Sequence, residues 1–240
     1  MGLLDISYII SFLINIGLPI GLAVFVWKKF KVSWAIFFLG MALFLVSLAR
    51  VPLNGYVTGL IRQNFNSYII YNALFASFTA ALFEEGVRVL GLGLIVRQKN
   101  YFKGLMYGIG HGGGGEAMVF IGFTGIANYV IYKLFPGIIP GSEALGNIQW
   151  YLPLVGSLER IFAIAIQIFL SVLVMHAFMS KKYYFIAIAF FFHLLVDFVA
   201  IYVNNEFGIA AAEITVFCFA VIAVVLTVLL RPKNFNSFKL

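Results

Sequence analysis

YYFIAIAFFFHLLVDFVAIYV, residues Tyr183 to Val203, is an apolar run interrupted only by His193 and Asp197. It matches the roughly 20 residues a helix needs to cross a bilayer. Lipid leaves backbone N–H and C=O groups no partner outside their own segment, so a spanning run of this kind is a helix. Two lysines, Lys181 and Lys182, precede it. Comparable runs lie on both sides. Upstream they cover about Ile6–Trp27, with Pro19 as an expected kink, then Ser33–Val51, Ser67–Val96, Phe102–Leu134 and Tyr151–Met179. Downstream the last covers about Phe207–Leu230. The expectation is an all-α, polytopic bundle of about seven spans, a single integral membrane domain over residues 1–240. A Gly- and Pro-bearing loop, Pro136 to Gln149, separates the fourth and fifth spans.

Composition agrees. Hydrophobic residues make up 63% of the chain and charged ones 10%, with a mean hydropathy of +1.04. A soluble domain carries about 25% charged residues. The short alternating segments of a β-barrel are absent from the sequence. The N-terminal run lacks a basic leader and a small-residue cleavage site, so it reads as a true span. Cys218 is the lone cysteine, which excludes an internal disulfide and any CxxC site.

The net charge of +7 has its account in the positive-inside rule rather than in nucleic acid. Lys28, Lys29, Lys31, Arg97, Lys99, Lys103, Lys181, Lys182, Arg231, Lys233 and Lys239 fall at one set of span ends, whereas Arg50, Arg62 and Lys133 fall at the other. This places the N-terminus outside and the C-terminus in the cytoplasm of a multi-pass protein of the cell membrane.

Ionisable groups inside spans are costly and usually functional. Taken at 1.5 Å of rise per residue, Glu84 and Glu116 lie roughly 20 Å from the nearest cytoplasmic basic residue, His111 about 12 Å, and His193 and Asp197 roughly 17 and 23 Å. Three helices thus bring carboxylates and imidazoles to one slice of the membrane. Arg88 is i+4 from Glu84 and i+3 from Glu85, so it can pair with either. One glutamate is expected on Arg88, and the other, with Glu84 preferred, is expected free to take a proton. His193 and Asp197 are i, i+4 and share a face. His111 opens the run Gly112–Gly115 before Glu116, which leaves room for close backbone approach. Gly104 and Gly108 form a small-residue ridge of the kind that packs helices. Glu159–Arg160 reads as a structural ion pair, Glu213 as solvated near the outer interface, and His176 as lying at the cytoplasmic headgroups.

Glu84-Glu85-x-x-Arg88, Tyr107-x-x-x-His111 and His193-x-x-x-Asp197 resemble the three motifs of the CAAX-protease and bacteriocin-processing superfamily. Gly108-x-Gly110-His111-Gly112-Gly113 followed by Glu116 is similar, more closely, to the YhfC family of intramembrane proteases. The resemblance implies a glutamic-type hydrolase acting on a membrane protein or peptide. In it Glu84 or Glu85 is the general base, His111 positions the water, and His193 with Asp197 holds the scissile carbonyl, with Arg88 and Glu116 in support. The chain departs from the pattern in places. The CAAX proteases carry one more residue before the arginine and tend to have Asn where Asp197 stands. The His111–Glu116 spacing is five where the YhfC pattern has four, and Gln167 stands where that family has a histidine.

Other classes use the same residues. The implied glutamic type needs no cofactor. A metalloprotease would bind zinc through His111, His193 and one carboxylate such as Glu116, with a position left open for water, although no HExxH is present. A proton- or ion-coupled transporter also buries Glu, His and Asp, but no internal repeat of spans is evident. A non-catalytic membrane scaffold is the third class.

Overall fold

Where the apolar runs end, local chemistry ends them. Ser33 caps a helix by accepting from the Ala35 N–H at 3.2 Å, and Asn100 caps another by accepting from the Lys103 N–H at 2.9 Å. Lys31 and Lys181 stop helices in the left-handed conformation, with φ of 55° and 56°. Gly208, at φ 85°, turns the chain between the last two helices. The computed structural model describes residues 2–65, 67–135, 137–138 and 142–232. Pro136, Lys233 and Lys239 lie outside the described residues.

The elements are α1 (Leu3–Phe30), α2 (Trp34–Ser47), α3 (Arg50–Asn64), α4 (Tyr68–Leu90), α5 (Tyr101–Gly108), α6 (Thr124–Leu134), α7 (Leu152–Ser180), α8 (Tyr184–Phe207) and α9 (Ile209–Leu229). α4 closes in a π turn, Gly91–Ile95, and a longer π segment, Ile109–Phe123, joins α5 to α6 into one rod. A short 3₁₀ helix, Ser142–Asn147, occupies part of the loop before α7. The chain is a multi-pass membrane protein. Among the described residues, six stretches are long and apolar enough to cross a bilayer: Leu3–Phe30, Trp34–Asn64, Tyr101–Leu134, Leu152–Ser180, Tyr184–Phe207 and Ile209–Leu229. α4, the third expected span, is not among them. It carries Glu84, Glu85 and Arg88, all buried, while Leu74, Phe78 and Leu82 on the same helix are exposed.

The second expected span also differs. It ends at Ser47, and after a tight turn at Leu48–Ala49 the chain resumes as α3. α3 is too polar to register as an apolar run. It lies antiparallel to α4 on a ladder of polar pairs: Arg50 with Glu84 at 2.8 Å, Thr79 with Asn54 at 2.8 Å and Thr58 with Asn72 at 2.6 Å.

α7 is the axis of the bundle. The π segment lies against it, with α1 and α2 on its other sides. Gly110 and the four-glycine run make this possible. A Cβ on Gly110 would stand 2.0 Å from the Phe37 carbonyl oxygen, one on Gly112 2.6 Å from Gln167 Cβ, and one on Gly115 2.5 Å from Phe44 Cβ. Gly104 and Gly108 pack in the same way against Met175 and Ile168 of α7. Below these contacts, toward the lysine-rich ends, Leu92, Tyr107, Leu170, Val174 and Met175 form a fully buried apolar floor.

Candidate active site

Above that floor, five elements supply the polar groups: α3, α4, the π segment, α7 and α8. Glu84 and Glu85 are neighbours on α4 and point about 100° apart, so they meet different partners. Glu85 Oε1 accepts from Arg88 Nη1 and lies 2.8 Å from His193 Nδ1. Glu84 pairs elsewhere. Its Oε1 accepts from Arg50 Nη2 at 2.8 Å and its Oε2 from Gln167 Nε2 at 2.9 Å. The expectation of one free glutamate is thereby corrected: Arg88 takes Glu85, but Arg50, assigned from sequence to the outer loops, holds Glu84. The reason is the α3–α4 ladder, which hydropathy does not reveal.

Gln167 links the two glutamates. Its Oε1 accepts from Arg88 Nη2. Since arginine only donates, the amide oxygen must face Arg88, and the Nε2 is left for Glu84. The same reasoning sets the histidine. A carboxylate bonded to Arg88 is an acceptor, so His193 Nδ1 carries a proton toward it and the Nε2 faces inward. That Nε2 lies 3.5 Å from Asp197 Oδ2 and 3.9 Å from Glu84 Oε2.

His111 reaches the same point from the π segment. Its ring is fully buried, edge-on to Phe44 and stacked near Tyr107, with centroids 5.2 and 5.9 Å away. Nε2 stands 3.4 Å from Glu84 Oε2. Among the described residues neither ring nitrogen has a hydrogen-bond partner. The structure therefore gathers Glu84, Glu85, Arg88, His111, His193 and Asp197, and adds Arg50 and Gln167 to them.

Glu116 makes a different ion pair. Its Oε1 pairs with Arg160, which also holds Glu159, and its Oε2 has no hydrogen-bond partner among the described residues. Glu159–Arg160 is thus an ion pair, as expected, and one that extends to a third group. Glu213 is partly buried and lines a cavity with Glu159. No three His, Cys, Asp or Glu side chains among the described residues already stand as a metal cage. The carboxylate between the two imidazoles is Glu84, not Glu116.

Comparison with known proteins places the chain in a family. The chain is 29% identical to a Bacillus subtilis (strain 168) protein described as the uncharacterized membrane protein YhfC, over 92% of each chain. No solved structure matches it significantly. The model of a family described as the YhfC intramembrane metalloprotease matches residues 14–137 and 138–223. With most of its length covered by that model, the chain belongs to the YhfC intramembrane metalloprotease family.

Proposed function

We propose that this protein is an intramembrane endopeptidase that hydrolyses a peptide bond of a membrane-associated protein or peptide, with Glu84 taking the proton from the attacking water. One observation carries the reading: Glu84 Oε2 lies 3.4 and 3.9 Å from the Nε2 atoms of two histidines brought in on separate elements. Arg50 and Gln167 each donate to a different oxygen of Glu84. They fix the plane of the carboxylate and leave a lone pair of Oε2 turned toward the histidines, where a water would sit. A base must be within hydrogen-bond reach of the proton it removes, and this orientation supplies that reach. Glu85, itself held by Arg88, sets the His193 tautomer. His193 Nε2 is then available at the reacting carbonyl and, once protonated, donates a hydrogen bond there or to the leaving amine. Asp197 is an acceptor when ionised and so acts through His193.

The donors also suit the metal in the family's description. His111 has two buried ring nitrogens without hydrogen-bond partners, and the Glu85–His193 pair has the form of a carboxylate that orients a ligating histidine. Zinc would be held by His111, His193 and Glu84, and would lower the pKa of a bound water and polarise the carbonyl.

The test is to sequence new protein N-termini in membranes of cells that express the wild-type chain, Glu84→Gln or Glu85→Gln. Termini within or beside membrane-spanning segments should appear with the wild type and vanish with Glu84→Gln. Equal termini from all three would sink the hydrolase reading. Loss of the termini on chelation, with recovery on added zinc, would favour the metal-bound form of the site.

A further inference from the structure

Exposure of the charged side chains rises in one direction through the site. Arg88 and His111 are fully buried, and Glu84 and His193 side chains are 4% exposed. Arg160, Glu116 and Arg50 follow at 14–19%, and Asp197 and Glu159 reach 34% and 40%. The direction is that of the helix axes. On α8, His193, Asp197 and Asn204 share one face at 100° per residue, and Asn204 lies about 16 Å beyond His193. On α7, Arg160 lies on the Gln167 face, about 10 Å beyond it. Past them is a cavity of about 200 Å³ between α7, α8 and α9, lined by Glu159, Asn204 and Glu213 among small apolar residues. In the opposite direction stands the apolar floor of Leu92, Tyr107, Leu170 and Met175, closed to solvent.

Hydrolysis consumes water, and the bilayer core holds none. Charged side chains at membrane depth persist where they face one another or a water-filled space, and the cavity lined by Glu159, Asn204 and Glu213, outward of Asp197 along α8, is polar enough to be the mouth of one. We propose that water and the polar backbone of the substrate reach Glu84 and His193 through this mouth, framed by Asp197, Arg160, Glu116, Glu159 and Asn204. It opens at the end of the bundle remote from Lys181 and Lys182, the outer end by the positive-inside rule. Arg160, bonded to Glu116 and Glu159 at once, ties the π segment to α7 across it. The purpose assigned to the route rests on the proposed hydrolysis, but its existence does not.

The test replaces Cys218 with Ser and introduces single thiols by Asn204→Cys at the mouth, Ser171→Cys at the floor and Lys182→Cys at the lysine end. A charged, membrane-impermeant thiosulfonate is added outside right-side-out vesicles. Asn204→Cys should react at once and Lys182→Cys only after permeabilisation. Ser171→Cys should react at least about tenfold more slowly than Asn204→Cys in every case, as a buried thiol does. Val174→Cys repeats the floor measurement should Ser171→Cys fail to accumulate. An Asn204 thiol silent from outside, or a floor thiol as reactive as it, overturns the route. The claims separate in the Asn204→Cys chain with Glu84 intact: an open mouth without new membrane termini defeats the hydrolase alone.

Discussion

Glu84 and Glu85 sit side by side on α4 but meet different neighbours. Glu85 faces a fully buried arginine and His193 Nδ1, which makes it the orienting group of the proposed mechanism. Glu84 faces the open side of both imidazoles. Glu85→Gln should therefore lower cleavage by about 10–100-fold, the usual effect of loosening a ligand's or base's supporting partner, while Glu84→Gln should abolish it. Steady-state cleavage of one processed substrate by both variants checks this, and equal losses would merge the two roles. Arg88 holds Glu85 and Gln167 together with no access to solvent. Arg88→Ala leaves a buried carboxylate unpaired and should destabilise the bundle by about 3–5 kcal/mol. Arg88→Lys should recover only part of that, since an ammonium lacks the planar fork that serves both partners. Thermal unfolding in detergent measures both, and an Arg88→Ala chain that melts with the wild type would show the network to be ornamental. Most of these residues were legible in the sequence as charges inside apolar runs. Arg50 was not, since nothing local to it signals a partner 34 positions away. Gln167, being uncharged, stood out only through the resemblance.

Among the elements, the π segment is the least ordinary and the most constrained. Its i→i+5 register stacks residues five apart, so His111 and Glu116 come nearer to one side than the 140° of an α-helix would allow. The glycines permit a fit that no side chain could share. Gly110→Ala would drive a methyl to 2.0 Å from the Phe37 carbonyl oxygen and should cost about 1–3 kcal/mol as overpacking. Gly55→Ala, in α3 with nothing within 4 Å of its Cβ, should instead gain up to about 1 kcal/mol from helix propensity. Opposite shifts of the two melting midpoints are expected, and a neutral Gly110→Ala would mean that the segment is not clamped as described. Apolar period and length made most of the helices readable. They did not show the π register, which goes with contacts to α1, α2 and α7, nor α3, whose Arg50, Asn54 and Thr58 pair with α4.

At the scale of the whole molecule, side-chain contacts sort the helix ends without reference to hydropathy. Tyr101 Oη donates to the Thr227 carbonyl at 2.8 Å, which ties the start of α5 to the end of α9. Lys99 lies over the Phe178 ring and so brings the loop before α5 to the end of α7. Lys133 pairs with Asp5 at 3.1 Å, which ties the end of α6 to the start of α1. The lysines of the described residues therefore divide: Lys28, Lys29, Lys31, Lys99, Lys103, Lys181 and Lys182 at one end, and Lys133 at the other. If the positive-inside rule orients this bundle, a membrane-impermeant amine-reactive ester added to right-side-out vesicles should modify Lys133, half exposed as it is, and spare the other seven until the membrane is opened. Peptide mass spectrometry reads each lysine separately. The reversed pattern would turn the mouth above Asp197 toward the cytoplasm, and with it the source of substrate. A mixed pattern would break the bundle as drawn, because no single orientation can put Lys99 and Lys181 on opposite sides while Phe178 lies beneath the one and three residues before the other.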